Sequence, residues 1–227
     1  MEMRRHTAVL MGLLLLALGW QARAAEAWQE GKHYFLVQPV QRTSVAPGKV
    51  EVTEVFSYGC PACNKFQPIA EDLKKRLPPN AVLTYLPASF MPAEQWPMFQ
   101  RAYLTAQAMG IADRTHVAMF NAIWAGGELQ IADPKTNRLK QPPPTIEDAA
   151  KFYARVAGVK AEDFLATAKS FSTELNIKRA DDWIKAARVD QTPTIVVNGK
   201  YRITVGSAGG VNSLFELVDW LVAKETH

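Results

Sequence analysis

Residues 50–77 read VEVTEVFSYGCPACNKFQPIAEDLKKRL, and they are the most informative part of the chain for its fold. The first seven, residues 50–56, are rich in β-branched and aromatic side chains, which is typical of a strand. After Gly59 the apolar residues recur at helical spacing, which predicts a helix that runs to about Leu77. Pro61 suits the first turn of that helix, where a missing N–H does no harm. A strand that leads directly into a helix predicts an α/β fold.

The rest of the sequence predicts a helical block between two groups of strands. Further strands are predicted at residues 34–37, 81–86, 194–197 and 201–205. The pair Asn198-Gly199 is a strong hairpin signal between the last two strands. Further helices are predicted around residues 99–106, 117–124, 177–187 and 214–221. Another helix is predicted to begin at Thr145, which forms a capping box with Asp148. A loop is predicted at residues 206–210, before the last helix. Residues 125–144 resemble a linker that is either mobile or functional.

Composition excludes several classes of protein. The 227 residues are 48% hydrophobic and 21% charged, which is ordinary for a globular chain and excludes collagen-like and disordered proteins. The net charge of +4 comes without a clustered basic stripe, so no nucleic-acid partner is expected. Only two cysteines are present, which excludes a disulfide-dense scaffold and a four-cysteine zinc site.

The first 24 residues are predicted to be a signal peptide. Arg4 and Arg5 precede an apolar run over residues 9–20, and Ala22-Arg23-Ala24 matches the small-residue cleavage rule. The apolar run is shorter than the roughly 20 residues that cross a bilayer, so a membrane anchor is the weaker alternative. We expect cleavage after Ala24 and export to an oxidising compartment.

The pair Cys60 and Cys63 is the most specific chemical signal in the sequence. Two cysteines separated by two residues, at the start of a helix, are typical of a redox site. Free N–H groups and the positive end of the helix dipole stabilise a thiolate at Cys60. Cys63 lies one turn further on, close enough to form a small disulfide ring and to resolve a mixed disulfide.

Two other interpretations of the cysteine pair are weaker. A passive disulfide over so short a loop restrains little of the unfolded chain's entropy, so stabilisation alone is a poor reason for it. A metal site needs two more ligands, and the histidines show no spacing typical of metal ligands. No metal is therefore expected.

Motifs far apart in the sequence resemble the DsbA family of bacterial periplasmic thiol–disulfide oxidoreductases. They are Glu54-Val55-Phe56, Cys60-Pro61-Ala62-Cys63, Gln191-Thr192-Pro193-Thr194 and Val197-Asn198-Gly199-Lys200-Tyr201. The resemblance covers essentially the whole mature chain. It implies a thioredoxin fold with an inserted helical domain. The implied division is thioredoxin-like at 25–87, helical at 88–173, and thioredoxin-like again at 174–227.

The resemblance also implies roles for residues outside the cysteine pair. Pro193 matches the family's cis-proline, which turns the backbone of Thr192 toward Cys60, where a substrate strand can pair with it. Without the family, a trans proline that opens a strand is the default interpretation. Glu54 matches a buried acid that relays protons to and from Cys63. Without the family, a carboxylate facing solvent is the default.

The sequence departs from the family's pattern at two places near the site. Ala62 stands where strongly oxidising members carry histidine, so we expect a less favoured thiolate at Cys60 and a weaker oxidant. Where a lysine is expected opposite Glu54, the sequence has Thr84-Tyr85-Leu86, which leaves the partner of the acid open. The proline-rich loop is also longer than the family norm.

The resemblance implies an enzyme that donates its disulfide to unfolded or partly folded exported proteins. A membrane quinone-linked oxidase of the DsbB type is the expected recharging partner, and the chain is expected to be a monomer without a dissociable cofactor. A reductase or isomerase, and less strongly a thiol-based metal-binding module, remain alternatives. His116 is expected at the surface. The tryptophans expected in the core or in groove walls are Trp96, Trp124, Trp183 and Trp220.

Overall fold

One five-stranded mixed sheet forms the centre of the molecule. The computed structural model describes residues 28–133, 135–136 and 138–226, so the predicted leader lies outside the described residues. The strands lie side by side in the order β1-β5-β4-β2-β3, and β2 pairs in parallel with β3. Their bounds are β1 (Phe35–Leu36), β2 (Val50–Phe56), β3 (Ala81–Pro87), β4 (Thr194–Val197) and β5 (Tyr201–Ile203).

Eight helices surround the sheet in the described part of the chain. Their bounds are α1 (Pro61–Arg76), α2 (Trp96–Ala108), α3 (Ala112–Trp124), α4 (Ile146–Ala157), α5 (Ala161–Ala168), α6 (Phe171–Ala186), α7 (Val205–Ala208) and α8 (Val211–Glu225). A 3₁₀ turn at Pro92–Glu94 precedes α2. None of these helices is both long enough and apolar enough to cross a membrane.

Strand β2 lies inside the sheet and is buried along its whole length. Because side chains alternate between the two faces of a strand, β2 contributes to two separate cores. Val52 and Phe56 belong to the larger core, which contains the apolar face of α1 and of α8. Val55 belongs to a smaller core on the other face, together with Ile184 of α6 and Val196 of β4. The chain leaves β2 at Phe56 and enters α1 at Pro61, five residues later.

Several local predictions are confirmed. Thr145 and Asp148 form the predicted capping box at the start of α4. Asn198 and Gly199 both have positive φ, as the predicted tight hairpin between β4 and β5 requires. The first predicted helix also ends where expected, although it continues through Pro68.

Other local predictions are wrong. Strand β5 ends at Ile203, and residues 205–208 form α7 where a strand end and a loop were expected, because Thr204 caps a helical turn there. Helix α5 was not predicted. Val117, expected on the buried face of α3, is 41% exposed, because the buried face of α3 is displaced by one residue toward His116.

The helices α2 to α5 follow β3 as a block, and α6 contacts both this block and the sheet. The predicted boundary between residues 173 and 174 falls inside α6, so the domain division stays a prediction. The described residues of 125–144 form no regular element beyond a bridge between Ala132 and Leu139, and Leu129 anchors the segment in the core.

Candidate functional site

The turn between β2 and α1 places Cys60 at the start of the helix. The backbone N–H of Gly59 donates to the Ser57 hydroxyl at 3.2 Å, and that of Cys60 donates to the Ser57 carbonyl at 3.1 Å. Cys60 is extended and serves as the N-cap of α1, and Pro61 follows as the first helical residue. The sequence pattern thus produces the strand-to-helix junction that it predicts, with Cys60 beside the unpaired N–H groups of the first turn.

Two tryptophans from the helical block hold this turn in place. The indole N–H of Trp124 donates to the carbonyl of Tyr58 at 2.8 Å. Trp96 packs so closely on Gly59 that a side-chain carbon there would lie 2.6 Å from its ring, so only glycine fits. The expectation that these tryptophans form core and walls is confirmed, and Trp124 in addition fixes the backbone before Cys60.

The two thiols are free and differ in their surroundings. The Cys60 sulfur accepts a hydrogen bond from the Cys63 backbone N–H at 3.3 Å. The Cys63 thiol, the Thr192 side chain and the N–H groups of Cys63 and Ala62 together lower the pKa of Cys60 from 9.0 to about 6, against the opposing effect of burial. Cys60 is therefore mostly a thiolate at neutral pH.

Cys63 has the opposite character. Burial, the hydrogen bond to Cys60 and the nearby negative charge of Cys60 and Glu54 raise its pKa far above the ordinary value. Cys63 has no exposed surface, whereas Cys60 retains 5% exposure. Cys60 is thus the more accessible thiol, although far less exposed than its neighbours Pro61 and Ala62.

The segment before β4 reaches Cys60 from the other half of the sheet. The Thr192–Pro193 bond is cis, as the family resemblance implies, and the Thr192 carbonyl oxygen lies 3.6 Å from the Cys60 sulfur. Beside them opens a groove of about 380 Å³. Its walls are formed by Ala62, Lys65, Phe66, Ile69, Gln191, Thr192, Pro193, Thr204, Val205, Gly206 and Val211. The structure therefore brings residues 60–63 next to Thr192 and Pro193, and Ala62 lies in the wall of the groove beside them.

Glu54 is buried and interacts electrostatically with both cysteines. Its side chain is on the face of β2 that points to the larger core, it is 2% exposed, and its Oε2 has no hydrogen-bond partner. Burial first, then the negative charges of Cys60 and Glu71, raises the pKa of Glu54 from 4.5 to about 8. The solvent-facing interpretation is wrong, and the buried acid that the resemblance implies is present. Tyr85 occupies the register position opposite it on β3.

An aromatic and polar cluster near Glu54 was missed in the sequence. His116, expected at the surface, is buried, because it lies on the same face of α3 as Phe120. Its Nδ1 lies 3.0 Å from the Tyr58 hydroxyl, and its ring lies 4.2 Å from that of Tyr85. Burial and the charge of Lys74 lower the pKa of His116 to about 3, so it is neutral at physiological pH. The helical spacing of residues 116, 119, 120 and 123 is the signal that locates this buried face.

Within 28–133, 135–136 and 138–226, no group of three or more His, Cys, Asp or Glu side chains is close enough to hold a metal ion.

Comparison with known proteins assigns the chain to a family. The family profile described as Thioredoxin matches residues 46–212. Thiol:disulfide interchange protein DsbA from Pseudomonas syringae pv. tomato is 35% identical, covering 97% of this chain and 96% of the relative. DsbA from Pseudomonas aeruginosa is 36% identical, covering 97% of each chain.

Solved structures agree with this assignment. The crystal structure of Pseudomonas aeruginosa DsbA superimposes with a TM-score of 0.72 at 35% identity, covering 88% of this chain and 96% of that one. Oxidoreductase DsbA from Xylella fastidiosa gives a TM-score of 0.74 at 31% identity, covering 86% and 96%. The chain therefore belongs to the DsbA family of thiol:disulfide oxidoreductases and has a thioredoxin fold with an inserted helical region.

Proposed function

We propose that this protein introduces disulfides into exported proteins by exchanging the Cys60–Cys63 disulfide with pairs of substrate thiols. The observation that carries the proposal is the opposite character of two thiols within one helical turn. The pKa of Cys60 is about 6, whereas that of Cys63 lies far above its ordinary value. A pair of this kind has one stable thiolate leaving group and one thiol that stays protonated, as dithiol exchange requires.

The exchange proceeds in two displacements. A substrate thiolate attacks the Cys60 sulfur, the Cys60–Cys63 bond breaks, and Cys63 leaves and takes up a proton. A second substrate thiolate then attacks the substrate sulfur of the mixed disulfide and releases Cys60 as a thiolate. The substrate loses two electrons and gains a disulfide, and the protein gains both electrons as the reduced pair.

Glu54 supplies the proton that Cys63 needs. With a pKa of about 8, its carboxyl group is mostly protonated at pH 7 and titrates close to the working pH, as general acid–base catalysis favours. The negative charge of Glu54 acts on Cys63, so the acid and the thiol are electrostatically linked. Glu54 thus protonates Cys63 during donation and accepts the proton back during reoxidation.

Thr192 and Pro193 hold the substrate. The Thr192 backbone faces the Cys60 sulfur, and main-chain hydrogen bonds to an extended substrate segment there hold its sulfur in line without reading its sequence. The adjacent groove, with Ala62 in its wall, accommodates apolar side chains of an unfolded chain.

The cellular setting follows from the family and from the predicted leader. The proposal includes cleavage after Ala24, a periplasmic location, action as a monomer, and reoxidation by a membrane quinone-linked oxidase of the DsbB type. No dissociable cofactor takes part, because the disulfide itself is the oxidant. The proposal also keeps the predicted division into a thioredoxin-like part, residues 25–87 and 174–227, and a helical insertion, residues 88–173.

The test is to trap substrates on single-cysteine variants. In Cys63→Ala the Cys60 thiolate attacks disulfides of exported proteins, and the mixed disulfides should accumulate because Cys63 is not there to displace the substrate. Cys60→Ala is the matched control and should trap few. Faster alkylation of Cys63 than of Cys60 in the reduced parent would reverse the two roles. A pool that thiol trapping in cells finds mostly reduced would support a reductase or isomerase instead.

A further inference from the structure

Two buried oxygen atoms without partners belong to neighbouring strands at the same level. Glu54 of β2 is in register with Tyr85 of β3. Parallel strands lie roughly 4.8 Å apart, and side chains paired in register point to the same face. Both Oε2 of Glu54 and the hydroxyl of Tyr85 are buried without a hydrogen-bond partner. Buried polar atoms are rarely left unpaired, so two such atoms at one register position call for an explanation.

Tyr85 lies among buried aromatic rings and also borders a surface cleft. Its ring is held 4.2 Å from that of His116 and 5.8 Å from that of Phe56. Tyr85 also forms part of the wall of a surface cleft of about 330 Å³. The other walls of that cleft include Leu83, Tyr103, Gln107, Gly110 and Asp113.

The proposed mechanism requires a path by which protons pass between Glu54 and solvent. After Glu54 has protonated Cys63, its pKa of about 8 means that the carboxylate takes up another proton from solvent at pH 7, and it must release that proton before it accepts the one from Cys63 during reoxidation. Glu54 is nevertheless only 2% exposed. The ionisable groups acting on it from α1 are Cys60, Cys63 and Glu71, and all three are acidic. Acids of this kind make an ionised Glu54 less stable. A neutral hydroxyl that donates a hydrogen bond, in contrast, makes the ionised form of Glu54 more stable.

The groups that face Tyr85 leave its hydroxyl free for this role. They are Glu54 from β2, Glu71 from α1, Tyr103 from α2, and Asp113 and His116 from α3. His116 is neutral, and its Nδ1 is paired with Tyr58.

We propose that Tyr85 is a positioning residue that connects Glu54 to solvent in the cleft through its hydroxyl and one bridging water. When Glu54 protonates Cys63, the hydroxyl passes its proton through the bridging water to the carboxylate and regains one through water that enters from the cleft, where solvent buffer restores it, so that one proton moves from solvent to Glu54. Tyr85 ends the cycle unchanged. This inference rests on the proposed function, because it requires proton transfer between Glu54 and Cys63.

The direct test is the titration of Glu54, followed by carbon-13 NMR of its carboxyl carbon in the reduced protein. Tyr85→Phe removes only the hydroxyl that supports the carboxylate, so the pKa of Glu54 should rise by about one unit. Tyr103→Phe is the matched control, because it removes a hydroxyl from the wall of the same cleft but not from the register position of Glu54. It should leave the titration in place. Equal shifts in both variants, or none in Tyr85→Phe, would overturn the proposal.

A second variant, which retains the tyrosine ring, should shift the pKa of Glu54 in the opposite direction. 3-Fluorotyrosine at position 85 keeps the ring in place and makes its hydroxyl a stronger donor, so the pKa of Glu54 should fall. A rise or no change would contradict the proposal even if Tyr85→Phe failed to fold.

The kinetic test separates this inference from the proposed function. During repeated turnover, with a reduced peptide as substrate and glutathione disulfide as oxidant, the rate should fall about tenfold in Tyr85→Phe at pH 8, because every cycle exchanges a proton between Glu54 and solvent. In the Glu54→Gln background the same change should have no further effect, because the two residues act in series. A parent that does not exchange disulfides would refute the proposed function. A normal parent with additive variant effects would refute the role of Tyr85 alone.

Discussion

Strand β2 carries two buried glutamates on its opposite faces, and their surroundings differ sharply. Glu51 is 4% exposed and Glu54 is 2% exposed. The carboxylate of Glu51 accepts hydrogen bonds from the Ser44 N–H at 3.2 and 3.3 Å, from the Ser44 hydroxyl, and from the Thr84 hydroxyl at 3.1 Å. Glu54, three residues further on, leaves one oxygen without any partner.

The difference shows that burial alone does not make a carboxylate functional. The hydrogen bonds to Glu51 compensate for its loss of water and fasten the segment around Ser44 to the sheet. Glu54 has no such compensation, so its charge is costly and its proton is held to a higher pH. A buried acid that accepts enough hydrogen bonds stabilises the fold. A buried acid that lacks them has a raised pKa, which suits it to proton transfer.

The largest expected effect of this difference is on how stability depends on pH. The pKa of Glu54 is 4.5 in the unfolded chain and about 8 in the folded one, so between these values the folded state binds more protons. Stability from this group is complete below pH 4.5 and is lost as pH rises through 8. The loss is roughly 4 to 5 kcal/mol at 1.36 kcal/mol per pH unit.

Urea unfolding of the reduced protein from pH 4.5 to 8.5 measures this loss. The lowered pKa of Cys60 adds stability between about pH 6 and 9, in the opposite direction, so the parent must be compared with Glu54→Gln. The difference between the two curves isolates Glu54. A difference that does not vary with pH would remove the contrast between the two glutamates.

The same substitution at the two positions should change stability in opposite directions. Glu51→Met leaves the N–H and hydroxyl of Ser44 without their acceptor and should lower the free energy of unfolding by about 2–3 kcal/mol. In Glu54→Met the new side chain has a volume similar to that of glutamate and removes an acid without hydrogen-bond partners. This substitution should raise the free energy of unfolding by about 2 kcal/mol at pH 7. Urea unfolding at pH 7 decides this. Changes of the same sign would break the comparison.

Disulfide exchange should separate the two positions in the reverse sense. Glu54→Gln removes the proton donor for Cys63 and should slow reduction of the protein's disulfide by about 10- to 100-fold at pH 7. Glu51→Gln lies on the other face of β2 and should stay within about twofold of the parent, since buried hydrogen bonds there are structural. Stopped-flow measurement of both variants gives the answer. Equal slowing would mean that Glu54 acts through the fold and not through proton transfer.

The local elements of this fold could be predicted from sequence because short-range patterns determine them. The β-branched run of β2, the proline that opens α1 and the Asn198-Gly199 turn each act over a few residues. The alternation of Val52, Glu54 and Phe56 also places the acid on an apolar face. Only the family resemblance, however, led to a prediction that it is buried, because an acid on a strand is ordinarily exposed.

Contacts between distant segments could not be obtained from local patterns. Thr192 and Cys60 are 132 positions apart, and only the family resemblance predicts that they lie close together. The cluster of Tyr58, Tyr85 and His116 draws on the turn after β2, on β3 and on α3. Tertiary packing determines its contacts, and a displacement of one residue in the buried face of α3 was enough to hide His116.

The smallest expected effect lies at Ala62, at the thiol end of the site. The pKa of Cys60 is already about 6 without a histidine beside it, because the Cys63 thiol and the helix N–H groups stabilise the thiolate. Ala62→His adds one further donor near the sulfur, which favours the reduced form and makes the protein a stronger oxidant. We expect the exchange constant with glutathione to change by about tenfold or less, and tenfold corresponds to about 30 mV for a two-electron couple. Ala62→Phe, with similar bulk and no donor, should leave the potential near that of the parent. A potential that falls in Ala62→His, or rises equally in both variants, would mean that bulk in the groove wall matters at this position and hydrogen bonding to Cys60 does not.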